Sequence, residues 1–286
     1  ERIAEQNLHN TMRLLYHNYA SEIHIYRFSS KFIPLVGHEL LHDWDPFPRL
    51  SESFKKIGEY VTKHHMRVSF HPDHFTVLST PKDKVLANSI QDLHRHVRML
   101  EEMGLDERAK CNIHIGGAYG DKEAAMKRFI TNFKALEPRI RNRITLENDD
   151  KTFNASETLA ACEELGVPMV LDLHHHEVNP DGHSAVELWP SIQQTWNNAF
   201  PSKPQFLAPK IHVSSPKSEK DPRGHADDVE AKPLYHFLCA IAPQTEQLDI
   251  MIEAKRKDAA LFKLAHELSE MKHIHPVGKA AFEVST

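Results

Sequence analysis

The sequence predicts an α/β protein of the TIM (β/α)8 barrel class, and three observations lead there. Short β-branched runs alternate with amphipathic stretches along the whole chain, the order of a parallel sheet joined by helices. No glycine-rich phosphate loop follows an early strand, which weighs against an open doubly wound sheet without excluding it. Carboxylates and imidazoles collect at the carboxyl ends of the runs, the face on which a parallel barrel builds its site.

The elements follow in chain order. Residues 3–18 read as an opening helix, and the first strand run, "EIHIYRFSS" (22–30), comes only after it. Further runs are "RVSFHP" (67–72), "CNIHIGG" (111–117), "RITLEND" (143–149), "PMVLDLHH" (168–175), "APKIHVSS" (208–215) and "LDIMIEAK" (248–255), with helical patterns between them near 52–65, 84–103, 121–136, 156–165, 186–196, 227–241 and 257–271. Asn154 three residues before Glu157 has the form of a capping box, and Asp121 is a candidate N-cap. The proline-rich piece 201–209 reads as a loop. Seven strand runs are counted where a barrel has about eight, so the first strand is expected to lie before Glu1 and to be missing here. At 286 residues the chain is long for one ordinary domain but ordinary for a barrel, so residues 1–286 are expected to form one catalytic domain, N-terminally truncated.

Composition narrows the class. Hydrophobic content of 40% and charged content of 26% are globular values, and no apolar stretch approaches the roughly 18 residues that a membrane helix needs. The charged opening "ERIAEQNLHN" does not read as a signal peptide, and the absence of an initiator Met suggests a start upstream. Cys111, Cys162 and Cys239 are far apart and without CxxC spacing, which suits small buried thiols in a cytoplasmic protein. The outlying number is 22 histidines, and their positions carry the information.

Six successive runs place coordinating groups at or near their carboxyl ends: His71, His114, Glu147, then Asp172 with His175, then Lys210 with His212, then Glu253. Neutral imidazole together with carboxylate suits Zn, Mn or Fe, and there are more candidates than one four-coordinate ion can use, so a cluster of two or three ions is implied. In "VLDLHHHEVNP" (170–180), Asp172 and His175 form a D-x-x-H pair as strand becomes loop, leaving His174 and His176 as supporting or loop residues. His64, His65, His94, His96 and His266 fall in helical stretches and read as solvated or packed; Trp44, Trp189 and Trp196 read as packing residues.

These segments, with "ERIAEQNLHNTMRLLYHN", "IYRFSSKFIPLVGH", "VSFHP", "NIHIGG", "ITLEND", "LDLHHH", "PKIHVSS" and "DIMIEAK" in that order, resemble the UV damage endonuclease family over almost the whole chain. The resemblance implies a TIM barrel related to the apurinic endonuclease IV family that nicks DNA immediately 5′ to photoproducts and other lesions. It implies a divalent cluster, manganese first with zinc or magnesium as alternatives, held by His71, His114, Glu147, Asp172, His175, His212, His225 and Glu253. His38, in the loop after "YRFSS", corresponds to a further active-site histidine. Lys210 shares the strand face of His212 and would aim an ammonium at cations; the resemblance suggests a carboxylated lysine serving as an anionic ligand, the alternative being a lysine held back for the scissile phosphate. His74-Phe75 stand where many members carry a Gln-Tyr pair that probes the lesion.

The implied reaction is multi-metal hydrolysis of a phosphodiester, with Glu147, Asp172 and Glu253 anchoring the ions and lesions that already weaken pairing being the cheaper to extract. A net charge of −5 is unlike a DNA-binding protein. Three divalent ions would contribute about +6 locally, and Lys217, Lys220, Arg223 and Lys255, with Arg27, Lys31, Lys151, Arg256 and Lys257, lie in loops after strands, where they can meet phosphates or form a solvated rim. The expected partner is damaged double-stranded DNA and the expected state a monomer. Two rivals remain: a metal-dependent sugar isomerase or epimerase on the same barrel, which would need no basic rim, and a damaged-DNA-binding module without turnover.

Overall fold

Each of the seven strand runs read from the sequence pattern contains a strand in the structure, a computed structural model that describes residues 1–37, 41, 43–200 and 206–285. The chain divides into two compact units, Glu1–Ile144 and Thr145–Thr286.

The first unit runs α1 (Arg2–Ala20), β1 (Ile25–Phe28), α2 (Phe47–Lys63), β2 (Arg67–Phe70), α3 (Asp83–Glu102), β3 (Lys110–His114), α4 (Lys122–Ala135) and a short α5 (Pro138–Arg141). β1 pairs in parallel with β2 (Phe28 opposite Phe70), and β2 with β3 (Phe70 opposite Cys111). Phe28, Phe32, Phe54 and Phe70 are fully buried, with the Phe28 and Phe70 rings 5.3 Å apart and Phe32 edge-on to Phe70 at 5.6 Å. Their large apolar areas supply much of the burial free energy here. Gly58 lets α2 lie against the end of α3: a Cβ there would lie 1.6 Å from the Met103 carbonyl oxygen.

The second unit begins in β4 (Ile144–Glu147) and continues with α6 (Ala155–Leu165), β5 (Met169–Asp172), α7 (Leu173–Val178), α8 (Ala185–Ala199), β6 (Lys210–Val213), β7 (Pro216–Ser218), β8 (Asp221–His225), α9 (Ala231–Ile241), β9 (Asp249–Ile252), α10 (Asp258–Ser269), β10 (Ile274–Gly278) and β11 (Ala281–Val284). β4, β5, β6 and β9 are parallel neighbours in that order. Val170 packs on Trp196 and Phe200, while the two indoles donate to Met169 O at 2.6 Å and, from Trp189, to Thr245 Oγ1 at 2.7 Å. β7–β8 and β10–β11 are antiparallel hairpins.

In each unit the parallel strands neighbour one another in chain order, without the reversal that marks a doubly wound sheet. The fold class is therefore the α/β one expected. The capping box at Asn154 and the Asp121 cap are both present. Some expectations need correction. Residues 173–178 are a helical turn, because Asp172 caps it. Both hairpins and α5 went unread, being too short or too polar to show a period. Cys111 and Cys162 are buried, but Cys239 is only partly so. Residues 201–205 of the expected loop lie outside the described residues.

Candidate metal centre

Glu147 closes β4, Asp172 closes β5 and His212 lies in β6 directly opposite Asp172 in the strand register. All three are buried, and one ligand atom from each lies within 4.8 Å of the others. Parallel strands with both faces covered leave no route for such groups to reach water, so each needs a partner inside. Asp172 is held on three sides. Its Oδ1 accepts from the His175 N–H at 2.7 Å, capping α7; its own N–H donates to Asn148 Oδ1 at 2.9 Å; and its carbonyl accepts from Asn148 Nδ2 at 3.0 Å. Its Oδ2 has no hydrogen-bond partner among the described residues. A rigidly oriented carboxylate with one bare oxygen, beside a second carboxylate and an imidazole, is a donor set that fits a divalent cation.

Other candidates surround this group. His175 Nδ1 lies 3.6 Å from Glu147 Oε1 and 3.8 Å from Asp172 Oδ2, and it also meets Asn148 O at 2.9 Å. Glu253, just after β9, brings Oε1 to 3.3 Å from His212 Nδ1 and Oε2 to 3.6 Å from His225 Nδ1 on β8; His212 Nδ1 also meets Glu147 Oε1 at 3.2 Å. Lys210 is buried two residues before His212 on the same strand face.

The electrostatics match a site with too much negative charge for its burial. Burial, helped by the neighbouring carboxylates of Glu147 and Glu253 and opposed by the His175 and His212 imidazoles, raises the Asp172 carboxyl to about 7. Burial alone would lower His212, but Glu147 and Glu253 overcome it and hold the imidazole at about 9. His175 is raised too, Asp172 and Glu147 outweighing its burial. Protons gather where carboxylates crowd, and a cation could take their place.

The triplet of histidines separates by role. Successive residues of a helical turn point about 100° apart, so three adjacent imidazoles cannot reach one point. His174, buried, bridges Ser214 Oγ and the Pro222 carbonyl, both at 2.7 Å, and so pins the β7–β8 hairpin that bears His225. His176 meets the His183 carbonyl at 2.9 Å. Asn148, which brackets the Asp172 backbone, escaped the sequence reading. Its only signal there was a polar residue at the end of a buried run.

In the first unit, His71 follows β2 and His114 ends β3, with ring centroids 5.3 Å apart. His74 and Phe75 are exposed, Phe75 by 71%, and their rings are 4.0 Å apart. Phe75 therefore does not pack beneath its loop. Lys217, Lys220, Arg223 and Lys255 are exposed in the second unit; Lys217 reaches Asp221 Oδ2 at 3.3 Å and Arg223 lies 3.8 Å from Asp150 Oδ2. His38 lies outside the described residues.

Comparison with known proteins decides the family. The model of the UV-endonuclease UvdE family matches residues 1–285. The chain belongs to this family. A UV DNA damage endonuclease of Bacillus pumilus is 44% identical over 286 residues, 99% of this chain and 86% of that protein. The crystal structure of SacUVDE superposes with a TM-score of 0.83 at 29% identity, covering 94% of this chain and 88% of that one. Endonuclease IV from Thermus thermophilus shares the fold alone, at a TM-score of 0.59 and 13% identity over 90% of this chain and 94% of that one. Among the described residues no helix is long and apolar enough to cross a membrane.

Proposed function

We propose that this member of the UvdE family is a DNA repair endonuclease that nicks the backbone of damaged duplex DNA immediately 5′ to UV photoproducts and other lesions, using two or three divalent ions, manganese first. The observation that carries the metal requirement is the buried Glu147–Asp172–His212 group with its bare Asp172 Oδ2. Bound divalent ions would supply Lewis-acid activation of water and of the phosphodiester.

The chain's own residues would divide the remaining work. Glu147, Asp172 and Glu253 offer the anionic anchors, and His71, His114, His175, His212 and His225 neutral donors. Asn148 fixes Asp172, and His174 fixes the hairpin under His225. Lys210, buried on the strand face of His212, would serve as a carbamate ligand after reaction with CO2, or as a lysine held back for the scissile phosphate. Lys217, Lys220, Arg223 and Lys255 would meet phosphates, setting register without reading sequence. Exposed His74 and Phe75 would occupy the gap left when damaged bases leave the stack. Residues 1–286 would then act as one catalytic domain of a monomeric cytoplasmic enzyme.

The test is nicking of UV-irradiated against untreated supercoiled plasmid, with Mn²⁺ or with chelator. Irradiated plasmid should be nicked faster, and chelator should stop the reaction. Equal nicking of both plasmids, or full activity of metal-free protein, would overturn this reading.

A further inference from the structure

The loop after β3 carries an aromatic that the proposed function does not yet use. Tyr119 is 46% exposed and sits at φ +52°, a left-handed backbone that a bulky side chain rarely adopts. Its ring lies across Gly117, so close that a Cβ there would be 3.3 Å from Tyr119 Cε2. The Arg128 guanidinium stands 5.9 Å from the ring centroid, at the outer limit of a cation–π contact.

This loop is tied to the one that presents Phe75. Arg128 Nε donates to Ser79 O at 2.8 Å, Ser79 Oγ donates to Gly117 O at 3.1 Å, and Asn132 Nδ2 donates to Leu78 O at 2.7 Å. Gly116, at φ +109°, lets the two loops meet, since a Cβ there would come within 2.7 Å of Ser79 Oγ. Two exposed aromatics thus stand on cross-linked loops, one following His71 and one following His114. The left-handed backbone, the glycine beneath the ring and the cross-links between the loops fix where this exposed ring stands.

We infer that Tyr119, with the Arg128 guanidinium beside it, is a second DNA-contacting aromatic that stacks on a nucleotide flanking the lesion in duplex DNA. This rests on the endonuclease reading above. A ring face tolerates any base or sugar, and the adjacent cation suits the phosphate that accompanies either.

Three forms of the full chain decide it: native, Tyr119→Gly and Tyr119→Phe, compared by KM and kcat for nicking UV-irradiated plasmid, by direct affinity for a short damaged duplex, and by melting temperature. Tyr119→Gly should raise both KM and Kd at least about fivefold, keep kcat, and melt at or above the native temperature because glycine accepts the left-handed backbone. Tyr119→Phe keeps the ring and should stay close to native. Unchanged affinity in Tyr119→Gly would overturn the inference, and so would a loss of affinity that comes with a lower melting temperature or one that Tyr119→Phe shares. Failure of the native chain to nick irradiated DNA would instead sink the endonuclease reading, while the duplex affinities would still judge Tyr119.

Discussion

The Glu147–Asp172–His212 group and the His74–Phe75 loop are built on opposite principles. The first is buried at strand ends, each member fixed by a backbone pairing and by further hydrogen bonds such as those of Asn148 and His175. The second stands in solvent with its two rings 4.0 Å apart. Chemistry at a phosphodiester needs groups placed within a fraction of an ångström, which strands and buried bonds can ensure. Lesion recognition needs a surface that can enter a distorted duplex, which a loop can offer.

That contrast can be broken most severely at Glu147. Glu147→Gln should lower nicking by about 10³-fold or more, while affinity for damaged DNA falls little because the proposed phosphate and stacking contacts are assigned to other residues. Native-rate nicking by this variant would remove Glu147 from the chemistry. Asn148→Ala tests whether the fixing of Asp172 matters as such: metal affinity and activity should each drop about 10–100-fold, the range for residues that orient ligands, and metal titration against nicking rate would show it. Equal metal affinity in native and variant would make the Asn148 bracket purely structural.

The proposed recognition loop should respond in a different measure. Phe75→Ala should reduce the ratio of damaged to intact duplex affinity by the equivalent of about 1–3 kcal/mol of lost stacking, with kcat and melting temperature near native because the ring is 71% exposed. An unchanged ratio with a lower melting temperature would reassign the ring to packing.

The smallest effect belongs to the end of β3 opposite His114. Lys110, which starts that strand, is buried and donates to Asn142 O at 2.6 Å; burial lowers its ammonium to about 7, Glu107 opposing and Arg143 and Arg67 assisting. Since the unfolded chain keeps the ordinary lysine value, it binds an extra proton above about pH 7, so stability rises with pH through this window. From pH 7 to pH 8 the gain should be about 1 kcal/mol or less, present in native protein and absent in Lys110→Met when both are unfolded in urea. Parallel pH profiles for the two would show that Lys110 is not the titrating group.

Much of this molecule is local. A parallel strand covered on both faces is largely apolar, so the runs that end in Glu147 and Asp172, set between helical patterns, read as strands, and a carboxylate ending such a run is visible as a break in an apolar string. The caps at Asn154 and Asp121 were legible for the same reason, since donor and acceptor are three residues apart. The roles of Asn148 and His174 were not. Asn148 meets Asp172 across 24 residues and His174 meets Pro222 across 48, and nothing in the intervening sequence encodes the meeting. The β7–β8 hairpin, polar and exposed, carries no period either, yet it sets where His225 stands. Sequence alone determined the seven parallel strands, the longer helices between them and which residue types end each of those strands, because those depend on burial of neighbouring side chains. Tertiary structure alone decided that Asp172 keeps one bare oxygen, that His174 supports a hairpin, and that Phe75 and Tyr119 stay exposed, because each depends on atoms brought together from distant parts of the chain.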